Sequence, residues 1–305
     1  MPSVVPEVVV VGSANMDLVT RVPRFPLPGE TVLGSQFATF TGGKGANQAC
    51  AIARLGGKPK FIGKVGNDSF GLQIISSLRQ FGVDITNVFA EQDMVTGTAM
   101  ITVAESGENT IVVAGGANSR VDSEFVSERL RQLEFNTVLM QLEIPIATVN
   151  EVNKKSKIAI LNPAPAMALP DEIYQGLDWI TPNETETERL TGVSPTSKDA
   201  CLRAAEWFFE RGVKNVVITL GAKGSYLGNQ SVSEYCPTIE VKAVDSTAAG
   251  DAFNGALAYF LNEGREPKNA VLLANRAGAL ATTKLGAQAS LPSREEVRAV
   301  SSDLF

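Results

Sequence analysis

The feature that most constrains the fold is a short apolar strand pattern that recurs through the chain, each time followed by polar or glycine residues. It occurs at Glu7–Val11, 138–142, Ile158–Leu161, Trp179–Ile180 and 216–220. Repeated units of strand and helix predict a parallel sheet that is covered by helices on both faces. Because open sheets of this kind bind ligands at the carboxyl ends of their strands, we expect the polar clusters to share one edge.

The segment 244–257 joins a predicted strand to a predicted helix through small residues only. Residues 239–243 alternate between apolar and charged, which predicts the strand, and apolar residues recur at helical spacing after Gly250, which predicts a helix that begins there. The start of a helix attracts anions, because its N–H groups are unpaired. Asp251 at this point either caps the helix or takes a proton from a hydroxyl that attacks a bound phosphate.

The chain of 305 residues contains no histidine. This excludes Ser-His-Asp and Cys-His nucleophile pairs, zinc sites of the HExxH type and the histidine of a kinase HRD loop. Any general base must then be a carboxylate, Lys, Cys or Tyr, which favours Asp251 as the base.

Composition limits the partners and the compartment. A net charge of −6 and a pI near 5.0 argue against nucleic acid or an anionic membrane as the main partner. Cys50, Cys201 and Cys236 are odd in number and lack metal-type spacing, which suits a reduced compartment. No signal peptide and no bilayer-spanning apolar run is visible, so we expect a cytoplasmic protein.

Two stretches outside the strand–helix series predict a second, smaller sheet. Residues 21–40 are interrupted by prolines and resume at 31–33 as a hairpin or excursion. Residues 98–104 and 110–114 flank a glycine-containing turn, which predicts a β-hairpin. Since strands outside the main series need a partner, we expect the two stretches to pair.

The residues after the first strand do not form a dinucleotide fingerprint, because no further glycines follow Gly12 at that spacing. This excludes a dinucleotide oxidoreductase. Asn15 and Asp17 lie just beyond the strand, where they either bind a ligand or serve the turn itself.

Residues 41–47 form a glycine-rich turn that precedes a helix predicted from about 48 to 55. Glycines permit close approach of the backbone to a ligand, although such turns are also common as structure alone. The turn is not a Walker A loop, because Lys44 is followed by Gly45 rather than by Ser or Thr.

Asn183 and Glu186 lie three residues apart at a predicted helix start. Glu186 either completes a capping box or holds a hydrated Mg²⁺ that bridges nucleotide phosphates. Residues 281–290 have the composition of an ordinary loop.

Three motifs together, residues 42–49, 181–186 and 245–251, resemble the ribokinase branch of the phosphofructokinase-B-type sugar kinases. Residues 162–166 strengthen the likeness, which runs from about residue 8 to residue 292. The resemblance implies a ribokinase-like three-layer α/β/α domain with a mainly parallel central sheet, plus a small β-sheet lid.

The implied core domain comprises residues 1–13, 41–95 and 117–305, and the implied lid comprises residues 14–40 and 96–116. In the family the lid closes over the sugar and forms the contact of a homodimer.

The implied reaction transfers the γ-phosphoryl group of ATP to the O5 hydroxyl of D-ribose, with Mg²⁺ accompanying ATP and K⁺ as a monovalent activator. Asp251 would be the base, and the amides of Ala248, Ala249 and Gly250 would form the anion hole. Ala248 stands where related kinases often have glycine.

The resemblance also assigns binding residues. Those matching ribose-binding positions are Asn15, Asp17, Gly43, Lys44, Gly45, Ala46, Asn47, Glu143 and Asp251. Those matching nucleotide-binding positions are Asn183, Thr219, Leu220, Gly221, Ala222, Lys223, Gly224, Gly250 and Asn275. Those matching metal-binding positions are Glu186 for Mg²⁺ and, for K⁺, Asp245, Thr247, Ala281, Lys284, Gly286 and Ser290.

Two alternatives stay open at this point. A related kinase could act on deoxyribose, another sugar or a nucleoside, although Asp17 and Asn47 favour a hydroxyl-rich ring. A nucleotide- or sugar-binding protein without catalysis is the alternative of another class, and the presence of both Asp251 and Glu186 argues against it.

Overall fold

The computed structural model describes residues 7–153 and 156–305. The strands within them are β1 (Glu7–Val11), β2 (Asn15–Val22), β3 (Gln36–Gly42), β4 (Lys60–Gly66), β5 (Asp84–Glu91), β6 (Gly97–Ala104), β7 (Asn109–Ala114), β8 (Phe135–Met140), β9 (Ile158–Leu161), β10 (Trp179–Ile180), β11 (Asn215–Thr219), β12 (Ser225–Gly228) and β13 (Ser233–Cys236). The α-helices are α1 (Lys44–Arg54), α2 (Ser69–Phe81), α3 (Ser123–Leu130), α4 (Ile146–Asn153), α5 (Glu184–Thr191), α6 (Lys198–Phe209), α7 (Ala249–Asn262), α8 (Pro267–Ala281) and α9 (Arg294–Ala299).

The large sheet has the strand order β13-β12-β11-β10-β9-β8-β1-β4-β5. Its strands are parallel from β5 to β11, and only β12 and β13 pair antiparallel at one edge. This confirms the predicted mainly parallel sheet, and the carboxyl ends of its central strands meet at one edge.

Side chains of successive residues in β1 enter two different apolar cores. Val8 and Val10 pack against α1, α2, α7 and α8, whereas Val9 and Val11 pack against α3, α4 and α6. Both cores are closed by helices because a parallel sheet is buried on both faces. The three-layer α/β/α arrangement is therefore confirmed.

The small sheet has the order β3-β2-β6-β7. Strand β2 pairs antiparallel with β3 and parallel with β6, which forms the predicted hairpin with β7. The predicted pairing of the two stretches is confirmed. The strand expected at 31–33 is wrong: the pairing between β2 and β3 ends at Arg21 and Gln36, because Pro23 lacks the N–H that a further pair would need.

The strand expected at 239–243 is also wrong, since this segment pairs with no strand among the described residues. Thr238 at its start donates to the carbonyl oxygen of Asn275 in α8 at 3.0 Å. The segment is half-buried on one side only. This is enough to select alternating apolar and charged residues, even though the segment does not pair as a strand. The antiparallel edge strands β12 and β13, and also β5, were not predicted.

Helix α1 begins at Lys44, four residues before the predicted start near 48. Its first turn contains Gly45 and Asn47, which are poor helix formers, so propensity argued against a helix there. Packing overrides it, because the amide of Ala46 donates to the carbonyl oxygen of Ser13 at 2.9 Å. The predicted helix that begins near Gly250 is confirmed as α7.

Across the described ranges, the helices are too short or too polar for any of them to cross a bilayer.

Candidate active site

Asp251 lies in the first turn of α7 and is 7% exposed. Its Oδ2 accepts a hydrogen bond from Asn47 Nδ2 at 2.9 Å, and its Oδ1 accepts one from Gln48 Nε2 at 3.1 Å. The residue at the cap position is Ala248, and among the described residues no side chain caps the helix. The carboxylate of Asp251 therefore faces α1 across the edge of the sheet instead of capping its own helix.

The backbone before α7 turns sharply at Ala248, whose φ of 59° is the only positive value of a non-glycine residue in the described ranges. The amide of Ala249 donates to the carbonyl oxygen of Ser246 at 3.2 Å. The amides of Ala248, Gly250 and Asp251 donate to no acceptor within residues 7–153 and 156–305. Two of the three predicted anion-hole amides are thus available, and Asp251 adds one that the sequence did not indicate.

Lys44 lies at the centre of a cluster of carboxylates from separate elements. Burial alone would lower the pKa of its ammonium group, but the negative charges of four carboxylates raise that pKa above its ordinary value. These carboxylates belong to Asp251, Glu143, Glu186 and Asp17. The fold has brought together residues that the sequence placed on the sugar side, at the metal and at the base.

Asp17 extends from β2, opposite Phe40 of β3 and Ala99 of β6. Burial raises the pKa of its carboxyl from 3.8 to about 7, and the negative charges of Glu143 and Asp251 act in the same direction. A Cβ atom at residue 42 would overlap the Asp17 carboxylate, so the glycine at that position leaves room for the carboxylate where it lies.

Glu143 follows β8 and accepts hydrogen bonds at one oxygen from three directions. Ser13 Oγ and the amide of Lys44 donate to Glu143 Oε2, the second at 3.2 Å, and Asn15 Nδ2 lies 3.5 Å away. Asn118 holds Asn15 by donating to its Oδ1 at 2.7 Å. Nothing in the sequence distinguished Asn118 as part of the site.

The glycine turn packs directly on the end of β1. Gly43 has a φ of 88°, and a Cβ atom at Gly45 would overlap the backbone of Gly12 and Ser13. Ala46 is fully buried. The buried Oδ1 of Asn47 has no hydrogen-bond partner within residues 7–153 and 156–305, so this oxygen is available to a ligand hydroxyl.

The predicted nucleotide-side residues also lie side by side. Asn183 and Glu186 form the capping box of α5, with both of its hydrogen bonds at 2.8 Å. Burial raises the pKa of Glu186, although the charge of Lys44 opposes this effect. Because the capping bond uses Oε2 alone, Glu186 caps the helix while its other carboxylate oxygen, Oε1, takes no part in the capping box.

Thr219 pairs with Asn183 in an isolated parallel bridge, which places the segment 219–224 next to α5. Gly221–Lys223 form an exposed 3₁₀ turn. Asn275 is buried, and its Nδ2 donates to Ser225 Oγ at 3.0 Å and to the carbonyl oxygen of Cys236 at 2.8 Å. The amide nitrogen of Asn275 therefore holds α8 against β12 and β13.

The residues predicted to bind K⁺ lie in two segments, before α7 and from the end of α8 onward, and Asp245 joins these segments by a hydrogen bond; together they are called the cation loop. Its Oδ1 accepts from the amide and hydroxyl of Thr247 at 2.9 and 2.6 Å, and its Oδ2 accepts from the amide of Gly286 at 2.9 Å. These bonds lower the pKa of Asp245 although burial opposes them. The side chain of Lys284 forms an ion pair with Glu296 at 2.6 Å. Only the main chain of Lys284 is therefore left to take part in the cation loop.

Ala281 ends α8, and Ser290 Oγ donates to the carbonyl oxygen of Ala287 at 2.9 Å. Across the described ranges, His, Cys, Asp and Glu form no cluster of three or more that is placed to hold a metal ion.

A chain of buried amides runs behind Asp251 along the carboxyl ends of three strands. Gln141 Nε2 donates to Gln48 Oε1 at 2.5 Å, and Gln48 Nε2 donates to Asn162 Oδ1 at 3.1 Å. Asn162 Nδ2 donates to the carbonyl oxygen of Thr181 at 3.4 Å, and Thr181 Oγ1 donates to Asn254 Oδ1 at 2.6 Å. Asn254 Nδ2 closes the chain on the carbonyl oxygen of the residue before Asp251, at 2.8 Å. The sequence motif contained Gln48 but indicated no role for it.

Comparisons with known proteins find relatives over nearly the whole chain. The model of the family described as pfkB family carbohydrate kinase matches residues 5–294. The ribokinase of Haemophilus influenzae is 43% identical over 292 residues, which cover 94% of this chain and 95% of that protein. The deoxyribokinase of Salmonella typhi is 34% identical over 296 residues, covering 95% of this chain and 97% of that protein.

The solved structure of Arabidopsis thaliana ribokinase, complexed with ribose and ATP, superposes with a TM-score of 0.90 at 34% identity. The match covers 97% of this chain and 98% of that one.

Proposed function

The chain belongs to the pfkB family of carbohydrate kinases, and we propose that it transfers the γ-phosphoryl group of ATP to the O5 hydroxyl of D-ribose, giving D-ribose 5-phosphate and ADP. The observation that carries this proposal is the position of Asp251. Its carboxylate lies at the start of α7, beside Lys44 and next to backbone amides without an acceptor. Relatives that match nearly the whole chain include ribokinases from a bacterium and from a plant.

The chemistry follows from these groups. Burial raises the pKa of Asp251, which makes its carboxylate a stronger base, while the charge of Lys44 and the hydrogen bonds from Asn47 and Gln48 act in the opposite direction and favour the ionised form. Asp251 accepts the proton of the sugar hydroxyl as the oxygen attacks the phosphorus in line. The amides of Ala248 and Gly250 stabilise negative charge on the transferred group.

Asp17, Asn47 and Glu143 present carboxylate and amide oxygens to the hydroxyls of the sugar. The unpartnered Oδ1 of Asn47 supports this role, because a buried acceptor gains a hydrogen bond when a hydroxyl arrives. Gly43 and Lys44 bring backbone close to the sugar, with Gly45 and Ala46 holding the turn on β1.

Two metal sites fit the donors present. Glu186 has an oxygen that the capping box leaves free and would hold Mg²⁺ through water, and when bound the ion neutralises charge on the β and γ phosphates. The loop that Asp245 ties to Gly286 offers carboxylate and carbonyl oxygens, the ligand type of monovalent cations, so it would hold K⁺. Nucleotide binding is assigned to Asn183 and the segment 219–224.

We assign the small sheet, residues 14–40 and 96–116, as a lid over the sugar and as the interface of a homodimer. The strand register puts an apolar set on the same face as Asp17, namely Val19, Phe40, Ile101, Ile111 and Val113. Phe40, Ile111 and Val113 are 45%, 54% and 46% exposed, and exposed apolar patches of this kind mark interfaces. A monomer in sedimentation at micromolar concentration would contradict the assignment.

Unpaired cysteines at 50, 201 and 236, together with ATP as the phosphoryl donor, support a cytoplasmic location.

Deoxyribose is a second candidate acceptor, because a deoxyribokinase shares 34% identity with the chain over nearly its full length. A coupled assay of ADP release, with ribose, deoxyribose and a nucleoside compared by kcat/KM, tests both. We expect ribose to give the highest value, because Asp17 and Asn47 bind hydroxyls that deoxyribose lacks in part. A higher value with another acceptor would replace ribose as the substrate, and no ADP release with any of them would overturn the kinase assignment.

A further inference from the structure

Two consecutive residues of α1, Asn47 and Gln48, donate hydrogen bonds to the carboxylate of Asp251. They differ in whether a bound substrate could contact them. Asn47 retains an unpartnered oxygen that suits a sugar hydroxyl. Gln48 has no exposed surface, so neither ribose nor nucleotide can contact it. Its hydrogen bond to Asp251 Oδ1, 3.1 Å long, must therefore act through Asp251.

The amide of Gln48 can take only one orientation. Gln141 donates to its Oε1, while both hydrogens of its Nε2 are used, one by Asp251 and one by Asn162 Oδ1 at 3.1 Å. The reversed amide would place its oxygen against the Asp251 carboxylate and its NH₂ group against that of Gln141. Gln48 is thus held as a donor to Asp251 before any substrate binds.

We propose that Gln48 is a positioning residue for the base, holding the Asp251 carboxylate in one orientation at the start of α7 and stabilising its ionised form. This inference rests on the proposed function, in which Asp251 accepts the proton of the acceptor hydroxyl. The second oxygen of Asp251 meets Asn47, on the side where the predicted sugar residues lie.

The charged groups around Asp251 come from each element packed at the site: Lys44 from α1, Glu143 after β8, Asp17 from β2 and Glu186 from α5. Burial raises the pKa of Asp251, and the hydrogen bonds from Asn47 and Gln48 lower it. Replacing Gln48 with an uncharged residue leaves all four charges in place. A change in the pH profile would then report the lost hydrogen bond.

The test is Gln48→Met, which keeps the length of the side chain and removes the donor. With saturating ribose and ATP, we expect kcat to fall by about tenfold to a hundredfold, because a hydrogen bond to a charged group is lost. The KM for ribose should stay within about twofold, since Gln48 does not touch the sugar.

The acid limb of kcat should move to higher pH by about one unit, because loss of the donor destabilises the ionised carboxylate. Asp17, whose pKa burial raises to about 7, is present in both proteins, so a difference between their pH profiles belongs to Gln48. Gln48→Glu places an acceptor against Asp251 in the same shape and should reduce kcat further.

Asn153→Leu is the matched control. Asn153 is also a buried amide, and it donates to the carbonyl oxygens of Ile173 and Gln175 at 3.2 and 2.9 Å, on the other side of the sheet from α1. This variant should lose stability but keep kcat and the acid limb. A shift seen with Gln48→Met alone identifies positioning rather than general loss of packing.

The outcomes separate this inference from the proposed function. If the unaltered protein releases no ADP with ribose, the proposed function fails. If it is active, Asp251→Asn is inactive, and Gln48→Met keeps both kcat and the acid limb, the inference about Gln48 is overturned. If Gln48→Met does not fold, Gln141→Met replaces it. The expected result is then a smaller shift in the same direction, and an unchanged profile overturns the inference.

Discussion

The side chain of Asp17 is proposed to bind the sugar, but its charge lowers the free energy of unfolding. This stability cost can be worked out from the pKa of Asp17. Burial and two neighbouring carboxylates raise its pKa from 3.8 to about 7. A carboxyl with a raised folded-state pKa contributes no cost below its ordinary pKa, where both states are protonated. Between 3.8 and about 7 the unfolded chain loses its proton first, so the free energy of unfolding falls as pH rises and then levels off.

At about 1.4 kcal/mol per pKa unit, the ionised Asp17 costs the folded protein at most about 4 kcal/mol above pH 7. Water reaches part of the side chain and screens the charge, so we expect about 2 to 4 kcal/mol. Asp17→Asn has the same shape without the charge. It should raise the free energy of unfolding by about 1 kcal/mol at pH 5 and by about 2 to 4 kcal/mol at pH 8.

The assay is urea unfolding of the ligand-free protein at the two pH values. Asp93→Asn, at an exposed turn after β5, is the control and should stay within about 0.5 kcal/mol of the unaltered protein at both. Asp17→Asn should also lower kcat/KM for ribose about tenfold to a hundredfold, since a charged hydrogen bond to the sugar is lost. A stability gain that is absent, or that is equal at pH 5 and pH 8, would contradict a raised pKa of Asp17 in the folded protein.

Three further substitutions or conditions test other parts of the site. Ala248→Gly relieves a left-handed alanine and should raise the free energy of unfolding by up to about 1 kcal/mol in thermal melts, with ribose phosphorylation kept; a loss of stability would contradict the strain. Glu186→Gln should raise the Mg²⁺ concentration for half-maximal activity about tenfold, and an unchanged Mg²⁺ titration would remove Glu186 from the metal site. Activity should rise more with K⁺ than with Na⁺ at equal ionic strength, and Asp245→Asn should abolish the difference; equal rates of the unaltered protein in both salts would contradict the cation loop.

The parts of the site that could be predicted from the sequence are those that depend on local pattern. The helix start at Asp251, the capping pair at Asn183 and the glycine turn around Lys44 are such patterns. Each of them alone also has a structural use, and only their combination favoured a phosphoryl-transfer site. Their convergence also followed, because parallel strands expose their carboxyl ends at one edge.

The parts that were missed depend on contacts far apart in the chain. Gln48, Gln141 and Asn118 are buried amides, and their roles come from partners on other elements that no local pattern names. At residues 239–243 a local pattern was present but predicted the wrong element. An alternating pattern shows which side of a segment is buried, but it does not show whether a neighbouring strand or a helix covers that side. The start of α1 was placed too late for a similar reason: burial against Ser13 outweighs the poor helix propensity of its first turn.

The most direct test of the account is single-turnover phosphorylation of ribose by Asp251→Asn, a variant that keeps the shape of the side chain and lacks its basicity. We predict a rate at least about a thousandfold below that of the unaltered protein, with ATP and ribose still bound. A rate within about tenfold of the unaltered protein would contradict the role of Asp251 as the base.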